Sequence, residues 1–172
     1  MSITLGCVLD VGSVTCPTVA ARTDTPRRVC HSSRMTAQQY PSPDLWVGPL
    51  DAKLGLEVAS VTANRATGRA PVDGNTHPFG LWHGGATATI METLGSLAAN
   101  AHSGPGRQAV GTELNVSHLR TARQGWVHGE ATALHLGRTS AVYSIELRDD
   151  DAALLASGRL SCRILDQRAG LG

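Results

Sequence analysis

The segment from Gly80 to Asn100 constrains this chain more than any other stretch. No Lys or Arg occurs between Ala70 and Gly106, and after Gly85 apolar residues recur at Ile90, Met91, Leu94, Leu97, Ala98 and Ala101. That is helical spacing, and it predicts one long helix beginning near His83 or Gly84. The other face carries Ala88, Thr89, Glu92, Gly95, Ser96 and Ala99, where a solvated helix would carry several charges. Both faces are therefore expected to be packed, with Gly95 and the alanines admitting a close neighbour.

Two features of this helix can do chemistry. Glu92 is its single carboxylate, and Ser96 lies four residues on, so the two side chains share a patch. A carboxylate in a dry cleft suits general-base work, whereas a partly exposed helix charge would be purely structural. At the amino end, His83-Gly84-Gly85 presents unsatisfied N–H groups and the positive end of the helix dipole, a natural oxyanion or phosphate site. Gly84 and Glu92 are eight residues apart, roughly 12 Å along one helix, so they cannot both touch one carbonyl. If both act, Gly84 of one subunit must meet Glu92 of another across antiparallel helices.

The 172 residues suit one domain, and with only 3% aromatics its core must be built from Ala, Val and Leu. A formal charge of +1 points to neither nucleic acid nor a membrane surface as a partner. Cys7, Cys16, Cys30 and Cys162 form no Cys-x-x-Cys pair and no metal-ligand cluster with His, so free thiols in a reducing, cytoplasmic protein are expected, with no metal. Residues 1–40 are aperiodic and punctuated by Pro17 and Pro26, which predicts a disordered extension; Met35 is a candidate true or alternative start, and a functional arm is the competing interpretation. The organised domain is expected over 44–166, with a flexible tail at 167–172.

Within that domain, Leu45, Trp46, Val47, Leu50 and Leu54 predict a short helix stopped by Gly55. A hairpin follows over Leu56–Ala63 and Ala66–Val72, then a turn at Asp73-Gly74-Asn75 and the long helix. After the break at Gly104-Pro105-Gly106, strands are expected over 110–118, with Val110, Thr112, Leu114, Val116 and His118 on one face, then over 126–135, 141–147 and 154–164. One long helix against a curved antiparallel sheet of about five or six strands is an α+β layer architecture.

Three stretches carry a family resemblance: His77-Pro-Phe-Gly-Leu-Trp-His-Gly-Gly-Ala-Thr-Ala-Thr-Ile-Met-Glu-Thr-Leu-Gly-Ser96, Val110-Gly-Thr-Glu-Leu-Asn-Val-Ser-His-Leu-Arg120 and His135-Leu-Gly-Arg138. Over roughly Leu50 to Leu165 the chain resembles the hotdog-fold acyl-CoA thioesterases of the PaaI type. Within them it is most similar to the branch of 1,4-dihydroxy-2-naphthoyl-CoA hydrolase and the enterobactin proofreading thioesterase. The resemblance implies a hotdog fold, a homodimer with antiparallel helices, commonly a homotetramer, and hydrolysis of an aryl- or acyl-CoA thioester without a bound cofactor. It implies that Glu92 is nucleophile or general base, that Ser96 positions water and that Gly84 N–H binds the oxyanion, with His83 beside the thioester sulfur or simply capping the helix. Gly111, His118, Leu119, Arg120 and Thr121 would line the acyl and pantetheine channel. His135, Gly137, Arg138, Thr139 and Ser140 would meet the nucleotide phosphates. His77 departs from the family, which commonly carries Gln there; the amide's role in polarising the carbonyl passes to an imidazole with fewer donors. That departure leaves a non-catalytic acyl-CoA-binding protein as the alternative, and a hotdog hydratase or dehydratase is a third class.

Overall fold

The computed structural model describes residues 47–166. The expectations for residues 1–40, for Leu45 and Trp46 and for the tail at 167–172 fall outside them. The elements run α1 (Pro49–Leu54), β1 (Glu57–Val61), β2 (Arg65–Pro71), α2 (Gly84–Ser103), β3 (Arg107–His118), β4 (Trp126–Leu136), β5 (Ser140–Arg148) and β6 (Leu154–Asp166). All six strands form one antiparallel sheet in the order β1-β2-β4-β5-β6-β3, so β3 crosses over to the far edge. Helix α2, which carries no Lys or Arg and only one carboxylate, packs on the sheet. No helix among the described residues is long and apolar enough to cross a membrane.

Contact between helix and sheet depends on missing side chains. A Cβ on Gly129 of β4 would lie 2.6 Å from Leu94, one on Gly68 of β2 would lie 3.2 Å from the same Leu94, and one on Gly158 of β6 would lie 2.9 Å from Met91 Sδ. In the other direction, a Cβ on Gly95 of α2 would lie 2.5 Å from Leu160 Cδ2. Gly95 and Ala99 are thus buried against their own sheet rather than turned toward a second helix. The half-buried positions of the helix include Ala88, Thr89, Glu92, Thr93, Ser96, Leu97 and Asn100.

Two local expectations are corrected. In α1 the apolar Leu50 is 58% exposed, while Asp51 is buried: its Oδ2 accepts the Gly48 N–H (3.0 Å) and its Oδ1 accepts the Thr93 hydroxyl of α2 (2.6 Å). The short helix is pinned by this charge-assisted hydrogen bond together with Leu54, which packs against the core, while Leu50 does not. In β3 the simple alternation breaks at a bulge, where the pairing to β6 slips between Gly111 and Glu113. Ala109 and Gly111 face α2, and after the bulge Leu114 and Val116 do so, which moves Val110 and Thr112 off the face assigned to them.

Removing the Asp51 carboxylate strands two donors. Asp51→Ala is expected to lower stability by about 1.5–3 kcal/mol, as loss of hydrogen bonds to a charged group does. Thr93→Ala should cost less, and the double variant should fall short of the sum because the pair is shared. Urea unfolding of the three variants checks this.

Candidate active site

The start of α2 is fixed by the loop that leads into it. Asn75 donates from Nδ2 to the carbonyls of Leu54 (2.8 Å) and Pro71 (2.9 Å), and its own carbonyl accepts the His83 N–H (2.9 Å). Trp82 donates its backbone N–H to Ala122 O (2.9 Å) and its indole N–H to the buried Thr87 hydroxyl (2.7 Å). His83 is the N-cap, with extended backbone and Nδ1 accepting the Gly85 N–H at 2.8 Å. Its carbonyl accepts from Ala86 (3.0 Å) and Thr87 (3.2 Å). Of the first-turn donors, Gly84 N–H is left without an acceptor among the described residues.

Two further imidazoles stand near this end. The exposed ring of His118 lies over Gly84, where a Cβ would be 3.1 Å from its Cε1 and Nε2. His77 opens a turn with Pro78 next and Gly80 in the left-handed region; Gly80 N–H donates to His77 O (2.9 Å) and Phe79 N–H to His77 Nδ1 (3.1 Å). In both His77 and His83, Nδ1 accepts, so the neutral ring carries its proton on Nε2 as a donor.

Glu92 sits two turns along, half-buried. Ser96 donates to its Oε1 at 3.3 Å, a long hydrogen bond, and no cation pairs with it among the described residues. Its carboxylate lies against Gly111 of β3. The residue facing Gly111 across the ladder is Cys162, whose buried thiol is pushed up to about 11, first by burial and then by the charge of Glu92. At neutral pH this is a thiol, not a nucleophilic thiolate.

The remaining residues of interest fall at two opposite ends. Leu119 and Arg120 donate their N–H groups to Leu155 O (2.8 and 3.0 Å), continuing from His118 at the Gly84 end, and Thr121 follows. The turn from His135 to Ser140 is closed by Gly137 N–H to Ser140 O (2.9 Å) and tied to β6 by Ile164 N–H to Thr139 O (3.0 Å). His102, in the last turn of α2, meets Gly137 O at 2.9 Å, and Arg107 donates to Arg138 O. Helix α2 has 20 residues, so these ends are roughly 30 Å apart. One chain therefore holds three separated groups: the Gly84 end, the Glu92 middle and the Arg138 end. Sequence reading missed Asn75, Trp82, Thr87 and Cys162. Asn75 looked like a turn residue alone, and Cys162 reaches Glu92 only through strand register.

One long helix packed on a six-stranded antiparallel sheet of this order is the architecture of the hotdog fold. The family described as the thioesterase superfamily matches residues 79–156. The proofreading thioesterase EntH of Cronobacter turicensis is 41% identical over 120 residues, covering 69% of this chain and 88% of that protein. EntH of Klebsiella pneumoniae is 42% identical over 115 residues, covering 66% and 84%. The crystal structure of a thioesterase from Haemophilus influenzae superposes with a TM-score of 0.73 at 28% identity, covering 79% of this chain and 98% of that one. A mutant thioesterase from Pseudomonas aeruginosa gives 0.70 at 33% identity, covering 75% and 97%. The chain belongs to the hotdog-fold thioesterase superfamily, and it is a thioester hydrolase.

The Cys162 thiol makes stability fall on the alkaline side. Its folded value of about 11 exceeds the ordinary 9.0, so between those pH values the unfolded chain has released a proton that the folded chain retains, and stability drops as pH rises. Melting temperatures of wild type and Cys162→Ala from pH 8 to 11 should show a shallower alkaline decline in the variant, whatever its stability at pH 8.

Proposed function

We propose that the protein hydrolyses an aryl- or acyl-CoA thioester to the free acid and CoA, at a site shared between two subunits of a homodimer. The observation that carries this reading is the pair of unsatisfied groups on one helix: Gly84 N–H without an acceptor and Glu92 without a cation, both among the described residues. Their separation of roughly 12 Å is too great for one carbonyl. An antiparallel second helix supplies the missing half of each site.

In this arrangement Gly84 N–H of one subunit donates to the developing oxyanion, helped by the positive end of α2. Glu92 of the other subunit takes the proton of a water held by Ser96; the water oxygen bonds to the carbonyl carbon, the carbon–sulfur bond breaks, and the proton returns to the departing thiolate. Alternatively Glu92 attacks directly, forming an anhydride that water then opens. Either route uses the same carboxylate. His77 and His83 each retain an Nε2–H donor for the carbonyl and the sulfur. The channel for pantetheine would run past His118, Leu119, Arg120 and Thr121 of one subunit toward His135, Gly137, Arg138, Thr139 and Ser140 of the other. The guanidinium groups of Arg120 and Arg138 enter no ion pair among the described residues, which suits them to phosphates.

Glu92→Gln should lower kcat on the order of 10²–10⁴-fold, the range for losing a general base. Thiol release from benzoyl-CoA and a medium-chain acyl-CoA measures it; wild-type turnover in the variant would overturn the assignment. A mixing experiment tests the shared site. Gly84→Pro deletes the N–H at the first helical position, where proline is tolerated, and should also be inactive. Refolding equal amounts of Gly84→Pro and Glu92→Gln chains together gives heterodimers with one intact site of two, so about a quarter of wild-type activity should return on statistical mixing. A site contained in one chain would regain none.

A further inference from the structure

We propose that Gly111 is a positioning residue for Glu92: the absent side chain leaves a slot on the edge strand into which the carboxylate fits, and the bulge after Gly111 holds that slot in place. This rests on the assignment of Glu92 made above. The observation is steric. A Cβ on Gly111 would overlap Oε1 of Glu92 and stand 3.1 Å from its Cδ and 3.3 Å from Oε2. Real Cβ atoms do not approach an oxygen so closely, so the carboxylate occupies the volume of the missing methyl group.

Conformation does not demand glycine at this position. Gly111 is absent from the residues with positive φ, so its backbone is open to any L-residue. Space is what demands it. The strand around it is built to keep the slot where it is: pairing with β6 shifts between Gly111 and Glu113, and the extra residue, Thr112, donates its hydroxyl to Ser161 O at 2.9 Å. Without that shift, the residues flanking Gly111 would keep simple alternation and the strand would not bend at this point. Behind Gly111 the ladder partner is the small, buried Cys162. The remaining hold on the carboxylate is the 3.3 Å hydrogen bond from Ser96, too long to fix a flexible side chain alone. The slot therefore supplies the restraint that the hydrogen bond lacks.

A methyl group at position 111 displaces the carboxylate by an ångström or more, and a displacement of that size at a reacting group costs about 100-fold in rate. Gly111→Ala should thus lower kcat on that order; KM does not discriminate, because the family resemblance also places Gly111 along the acyl channel. Rescue distinguishes positioning from general damage. Aspartate at 92 is one methylene shorter and clears the added methyl group, so Gly111→Ala in a Glu92→Asp background should change kcat by less than about twofold, although Glu92→Asp alone is impaired.

Steady-state kinetics of wild type, Gly111→Ala, Glu92→Asp and the double variant decide the matter, with melting temperatures alongside. A loss of kcat in Gly111→Ala with little further loss in the double variant supports the proposal. If Gly111→Ala fails to fold, a folded double variant with the activity of Glu92→Asp supports it equally, because the clash is then the cause. Unchanged kcat in Gly111→Ala, multiplicative losses in the double variant, or a double variant that does not fold would each overturn it. Failure of the underlying assignment shows separately, as wild-type turnover in Glu92→Gln.

Discussion

The seating of Leu94 between two glycines is the contact on which the rest of this structure depends. The core has little aromatic bulk to fill a gap between layers: the single Phe79 is 83% exposed, and Tyr143 is the largest fully buried side chain. Helix and sheet must therefore approach closely. Gly68 and Gly129 pair directly across β2 and β4, and Leu94 enters the hollow they leave. On β6, Gly158 receives Met91 and Leu160 reaches the helix at Gly95. Interlocking of this kind fixes the helix both along its axis and about it, since a knob cannot slide out of its socket without opening a void.

In the proposed mechanism, that fixed position is what makes the helix half of a reaction site. Glu92 lies between the buried Met91 and Leu94 in sequence but points off the packed face, so its carboxylate reaches β3 rather than water alone. The same rigid body carries the free Gly84 N–H, whose orientation is set by Asn75, Trp82 and the His83 cap. Both groups can be placed accurately because neither sits on a mobile loop. The imidazoles of His77 and His83 are oriented by backbone N–H groups, which decides which ring nitrogen donates.

Most of the elements could be read from the sequence, because apolar period is a local property and each strand and helix declares it. The N-cap at His83 and the Glu92–Ser96 pair were legible for the same reason, being separated by one turn or less. What escaped were consequences of pairing between distant segments. The bulge after Gly111 exists only relative to β6, so the simple alternation of Val110 and Thr112 misassigned a face. Asp51 was hidden behind the leucines around it because its partner, Thr93, is on another helix. Gly95 fitted a contact with a second helix equally well until Leu160 was found against it.

The distribution of charge argues for a site completed by a second subunit. Around the sheet, several charged groups are paired, Arg65 with Glu130, Arg69 with Glu57 and Arg148 with Glu146, and His128 hydrogen-bonds Asp150, each at 2.7–2.8 Å. Arg65 holds the Glu130 carboxyl below its ordinary value, and the His128 hydrogen bond does the same for Asp150. Glu92 has no such cation, and its charge is felt instead by Cys162. Among the described residues Glu92 is left with one long hydrogen bond, from Ser96. The Gly84 N–H carries the complementary deficit at the positive end of the same helix. In the proposed homodimer, antiparallel pairing of two such helices would set each group opposite the other, with a thioester carbonyl and a water molecule between them.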